Sequence, residues 1–125
     1  MRRLPRTAVP SQVREGTGGA LQQHGKLVRD RIPQSIREDA AEPVTYTGGR
    51  EEYRSRLRDK LGEEVAEFLE ADEDSAPEEL ADVLEVVRAL AADLGVDADQ
   101  LEKIREAKAG ERGGFADRIV WTGNP

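Results

Sequence analysis

LGEEVAEFLEADEDSAPEELADVLEVV (residues 61–87) carries two acidic pairs of the form ExxE/D, Glu64 with Glu67 and Glu79 with Asp82, on either side of an acidic break. On both sides of that break apolar residues recur every three to four positions, the period of a helix with one buried face. Ser75, Pro77 and Glu78 form a helix start signal: a short polar N-cap, a proline in the first turn and a capping-box acid. The stretch therefore predicts two helices joined by a tight turn. Its acidic pairs are mirror images about Glu73, so a chain reversing there sets Glu67 beside Glu79 and Glu64 beside Asp82.

Helical phase separates these four acids from the rest. The first stripe is Tyr53, Leu57, Leu61, Val65 and Phe68, which sets the helix at about Arg50 to Ala71. Advancing about 100° per residue, Glu64 falls at the centre of the stripe and Glu67 on its flank, while Glu63 and Glu70 point away. In the second helix Leu80, Val83, Leu84, Val87, Leu90, Ala91 and Leu94 form the apolar face, with Glu79 inside the arc and Asp82 at its margin beside Val86. Gly95 is the expected stop. A carboxylate in a face that must be buried is costly unless it is paired or bound to a cation. Spacing alone would say little, because among 26 acidic residues Glu67 with Glu70 and Asp82 with Glu85 also match. Phase carries the distinction.

Carboxylates three apart on a helix have Cβ atoms roughly 5–6 Å apart, close enough to share one ion. An all-oxygen set suits Mg²⁺, with Mn²⁺ as a substitute, whereas zinc prefers nitrogen or sulfur. The chain has no cysteine and one histidine, His24, which reads as an exposed side chain. Mg²⁺ held this way bridges phosphates, neutralises developing charge and lowers the pKa of a bound water, while arginines and lysines hold the remaining phosphate oxygens.

Outside the hairpin the chain is organised around it. KLVRDRIP (26–33) sets Lys26, Arg29 and Arg31 around Asp30, and reads either as a solvated, salt-bridged face or as a phosphate-contacting segment. Pro33 starts a short helix over PQSIREDA, VTYT (44–47) is briefly β-like, and Gly48-Gly49 open the long helix. Asp97 and Gln100 form a second capping box for a helix through LEKIREAKA to Gly110. ERGGFADRIVW (111–121) leaves helix: Gly113-Gly114 imply a turn with close backbone approach, and RIVW reads as a short strand or an extended arm. Trp121 is a packing or dimer contact, or a surface for stacking a base.

With 125 residues, 36% charged and 4% aromatic, the chain predicts one all-α domain. That domain is a helical bundle around a central antiparallel hairpin over residues 25–125, with a short extended C-terminal segment. Residues 1–24, with four arginines against one glutamate, read as a flexible basic tail, an amphipathic targeting segment or a mis-set start. The apolar surface is thin for one chain, which predicts a homodimer or higher homo-oligomer. A net charge of −7 argues against a nucleic acid polymer as partner but not against a nucleotide. No apolar run has the roughly 20 residues of a membrane span, and no signal-peptide core is present, so a cytoplasmic protein is expected.

EEVAE (63–67) and EELAD (78–82), taken with KLVRDRIP and ERGGF (111–115), resemble the MazG-type all-α nucleoside triphosphate pyrophosphohydrolases. The resemblance spans about residues 26–120 and lies with their small single-domain branch, related to phosphoribosyl-ATP pyrophosphohydrolase. It implies Mg²⁺-dependent hydrolysis between the α and β phosphates of a nucleotide, giving a monophosphate and pyrophosphate, in a bundle that dimerises or assembles further. Nucleotide-pool house-cleaning is the role expected. The alternatives are phosphoribosyl-ATP hydrolysis and a non-catalytic acidic binding module. Carried over by position, Glu64, Glu67, Glu79 and Asp82 are the metal ligands, and Glu64 is also catalytic through a bound water. Glu63 matches the first acid of the family's EExxE and either orients that water or faces solvent. Lys26, Arg29, Arg31, Lys108, Arg112 and Arg118 are the candidates for substrate contact. Two features depart from the pattern. Only 11 residues separate Glu67 from Glu79, which predicts squeezed helix ends and one displaced carboxylate, and the basic tail has no counterpart.

Overall fold

Four helices and no strand occur among the described residues, 25–125, in a computed structural model of the chain. They are α1 (Ile32–Glu38), α2 (Arg50–Glu70), α3 (Ala76–Asp93) and α4 (Ala98–Arg112). α2 is the longest at 21 residues, free of internal proline and with Glu51 and Glu52 in the first turn, where acids favour the positive end of the helix dipole. It forms the main packing unit with α3, and α4 packs against α3. At the open end of the hairpin Arg54 of α2 donates to Asp93 of α3 at 2.6 Å, tying the start of one helix to the last turn of the other.

Most helix ends follow the sequence signals; the start of α3 and the end of α4 differ. Ser75 stands at the N-cap of α3, but its backbone is already helical and its side chain caps nothing. Asp72 organises the turn instead: its Oδ1 accepts from the Ser75 amide at 2.9 Å and from Ser75 Oγ at 3.0 Å. A carboxylate three residues upstream thus takes the hydroxyl, and the serine's half of the capping box is absent. α3 closes as expected on Gly95, at φ 83°, where the Val96 amide reaches Ala91 O at 2.8 Å and the Gly95 amide reaches Ala92 O at 2.9 Å. This pair of bonds satisfies carbonyls that the helix end would leave open. At the start of α4 both halves of the Asp97–Gln100 capping box are present, each at 2.8 Å.

α4 runs past Gly110 to Arg112. Gly113 ends it with φ 82° and ψ −179°, a conformation open in practice only to glycine. The two glycines were expected to admit a close backbone approach, yet a Cβ at Gly113 or Gly114 would meet nothing within 4 Å. The need at Gly113 is conformational. VTYT and RIVW are not strands: among the described residues neither pairs its backbone with another segment. The arm is exposed: Phe115, Ile119, Val120 and Trp121 all face solvent, and the Trp121 indole donates to nearby Asn124.

Among the described residues the core is small and lies mostly in the hairpin, with Ile32 of α1 added. Ile32, Leu57, Val86 and Ala91 are its buried apolar side chains, and Lys60, Glu64 and Glu79 are buried with them. The centre of the fold is therefore as much ionic as apolar. Leu69, Leu80 and Leu84 remain exposed on the same two helices, as does Leu94 just past the end of α3. No described helix is long and apolar enough to cross a membrane. The expectations for residues 1–24, His24 included, lie outside the described residues.

Candidate metal centre

The phase argument places Glu64 and Glu79 in the seam between α2 and α3, and there they are, 2% and 1% exposed. Glu67, one turn after Glu64, is half-buried at its edge. One carboxylate oxygen from each of Glu64, Glu67 and Glu79 lies within 4.8 Å of the others. Two helices supply the three groups, so the hairpin register decides whether they meet.

Glu64 shows what the cluster lacks. Its Oε1 is buried and accepts no hydrogen bond, a costly state for an ionised carboxylate. Burial pushes its pKa up; Lys60 opposes this, and the neighbouring charges of Glu67, Asp82 and Glu63 add to the rise, leaving it at about 7. A divalent cation would relieve all of the unfavourable contributions at once. An all-oxygen set in which Glu64 Oε1 and Glu79 Oε1 are both buried without a hydrogen bond fits a hard cation such as Mg²⁺.

Asp82 stands apart from this three-way group. It is half-buried and its Oδ1 accepts from Arg29 Nη2 at 3.1 Å. It is still near enough for its charge to be felt at Glu64. Glu63 is where the sequence reading is corrected: it does not point away into solvent but is largely buried between two lysines, Lys26 at 3.0 Å and Lys60 at 3.5 Å. Burial pushes its carboxyl up, and the two ammonium groups outweigh that, holding it below the ordinary carboxylate range.

KLVRDRIP crosses the hairpin, with Lys26 paired to α2 and Arg29 to α3. Its beginning is held by Arg56 of α2, which donates to the Gly25 carbonyl at 2.9 Å. Arg31 is exposed at the start of α1. Lys108 and Arg112, on the last turns of α4, and Arg118, at φ 58° in the arm, are also exposed. Among the described residues no ion pair joins any of these four to the acidic cluster.

Lys60 is the functional candidate that reading the sequence for acids and apolar stripes passes over. It is 7% exposed and its Nζ lies 3.5 Å from both Glu63 Oε1 and Glu64 Oε2. The signal was present: Lys60 is three residues after Leu57 and four before Glu64, on the same helical face.

Residues 26–108 match the family model of phosphoribosyl-ATP pyrophosphohydrolase. The match contains the basic segment, the hairpin and most of α4, and it ends before Arg112 and Arg118. An uncharacterized protein of Mycolicibacterium smegmatis is 51% identical over 47 residues, which are 38% of this chain and 48% of that protein. The alignment thus spans about half the length of the curated relative it matches. No solved structure matches the chain.

Proposed function

Because the chain belongs to the phosphoribosyl-ATP pyrophosphohydrolase family, we propose that it hydrolyses the anhydride between the α and β phosphates of a nucleotide, releasing a nucleoside monophosphate and pyrophosphate. The observation that carries the reading is the meeting of Glu64, Glu67 and Glu79 across the hairpin, with Glu64 Oε1 buried and unsatisfied. These three residues would hold Mg²⁺, with Asp82 at the margin as the fourth carboxylate. Bound there, the ion supplies charge neutralisation at the phosphates and activation of water.

The protein's own groups divide the remaining work. Glu63, kept ionised by Lys26 and Lys60, accepts from both and fixes their ammonium groups beside the cluster. Lys26 pairs with α2 and Arg29 with α3, so two cations stand near the cluster to take phosphate oxygens. Lys108, Arg112 and Arg118 are exposed, and their part in binding requires a nucleotide that reaches beyond the cluster or a second copy of the chain. The exposed Leu69, Leu80 and Leu84 favour assembly as a homodimer or higher oligomer.

For the substrate, nucleoside triphosphates of a modified or surplus kind are the first reading, in a cytoplasmic house-cleaning role. Phosphoribosyl-ATP is the second, favoured by the family match. The test is pyrophosphate release by the purified full chain with Mg²⁺, across canonical and modified nucleoside triphosphates and phosphoribosyl-ATP. Product from one of them identifies the substrate. Nucleotide binding without product from any would leave a non-catalytic module as the better account.

A further inference from the structure

Glu63 and Glu64 are unequally supplied with positive charge. Glu63 has Lys26 at 3.0 Å on Oε2 and Lys60 at 3.5 Å on Oε1. Among the described residues Glu64 pairs with that same Lys60, 3.5 Å from Oε2, while its Oε1 accepts no hydrogen bond. Lys60 therefore stands equidistant between an acid of the proposed metal centre and an acid outside it. Its ammonium is almost entirely shielded from water, so within the site it has these two carboxylates to choose between. A buried lysine left without a carboxylate would be costly. Here the loss of one partner leaves the other in place.

We infer that Lys60 is a positioning residue: it serves as the resident counter-cation of Glu64 in the metal-free protein, and it gives Glu64 up to an arriving divalent cation by passing wholly to Glu63. This rests on the reading of Glu64, Glu67 and Glu79 as the metal centre. The arrangement keeps the cluster folded before the ion arrives, since Glu64 would otherwise be a buried charge with no cation near it. It also makes lysine and ion competitors for one carboxylate. Glu63 keeps that competition reversible, and Lys26 holds Glu63 in position throughout. The role differs from that of a fixed salt bridge, which would support the fold without opposing the ion.

The competition sets the sign of the test. Mn²⁺ binding to the full-length protein is followed by loss of the free-ion paramagnetic resonance signal, with circular dichroism as the check on folding. Lys60→Met is expected to bind Mn²⁺ at least about tenfold more tightly than wild type, the size of change that partners of metal ligands commonly make. In chelator the same variant melts at a lower temperature. Lys60→Arg, which keeps the charge, returns the affinity toward the wild-type value. Glu63→Gln acts in the opposite direction: with no second carboxylate to receive it the ammonium stays on Glu64, and Mn²⁺ binding weakens.

A folded Lys60→Met that binds Mn²⁺ equally or less tightly overturns the inference. Should that variant fail to fold without metal, unchanged binding by Glu63→Gln overturns it just as well. If wild type, Lys60→Met and Glu63→Gln all leave the Mn²⁺ signal untouched, the metal-centre reading has failed and this inference falls with it. Wild-type binding that neither variant alters refutes the role of Lys60 alone.

Discussion

Glu64 is a carboxylate raised to about 7 by burial and by the acids around it, and its titration makes the metal-free protein sensitive to pH. The unfolded chain loses this proton near 4.5 and the folded chain near 7. Stability from this group is fully present below 4.5 and is lost as pH rises through 7, because the unfolded state gives up its proton first. In chelator we expect unfolding free energy to fall across that window by about 3 kcal/mol, an order-of-magnitude figure from about 1.36 kcal/mol per pKa unit. Denaturant melts at pH 4.5, 6 and 8 check it, and Glu64→Gln should flatten the profile. A profile that rises from 4.5 to 7 in wild type and stays unchanged in the variant would contradict the assignment. For turnover, Glu64→Gln and Glu79→Gln should each lower kcat at least about a hundredfold, since the ion's share of transition-state stabilisation is several kcal/mol. Retained helicity by circular dichroism separates this loss from unfolding.

Two glycines test the helices themselves, and the same substitution should act in opposite directions. Gly62 lies inside α2 with ordinary helical backbone, and a Cβ there would meet nothing within 4 Å. Gly62→Ala should stabilise by about 0.5–1 kcal/mol, through lower unfolded-chain entropy and better helix propensity. Gly95 also has open space for a Cβ, but its φ of 83° is the left-handed conformation that closes α3. Gly95→Ala should destabilise by about 1 kcal/mol or more. Thermal melts of the two variants in the same buffer compare them directly. Equal effects would mean that backbone conformation is not what distinguishes the sites.

The small core makes the whole molecule dependent on what binds it. An ion that binds only the folded state stabilises by about 2.7 kcal/mol at a hundred times its Kd, so Mg²⁺ should raise the melting temperature and chelator should reverse it. Leu69, 72% exposed, and Leu84, 47% exposed, lie on the two helices of the hairpin. If they form part of a subunit interface, Leu69→Glu with Leu84→Glu should convert the wild-type oligomer to monomer by sedimentation velocity. A monomeric wild type, or a double variant of unchanged mass, would remove those two residues from any interface.

Periodicity and end signals, read from the sequence, determined the helices, because both depend on neighbours within one turn: the apolar stripe of α2, Gly95 at the end of α3, and the Asp97–Gln100 box. The same local geometry places Glu64 and Glu79 in the apolar seam without reference to any contact between helices. Tertiary structure alone decided how charges are shared across elements. It set Asp82 against Arg29, drew Glu63 out of solvent onto Lys26 and placed Lys60 between two acids. Asp72 took the Ser75 hydroxyl in a similar way, within a turn whose path the capping signal does not specify. The physical reason is common to these cases. A helical wheel reports which side a residue faces, whereas the partner of a flexible charged side chain depends on which other charge packing brings within about 4 Å.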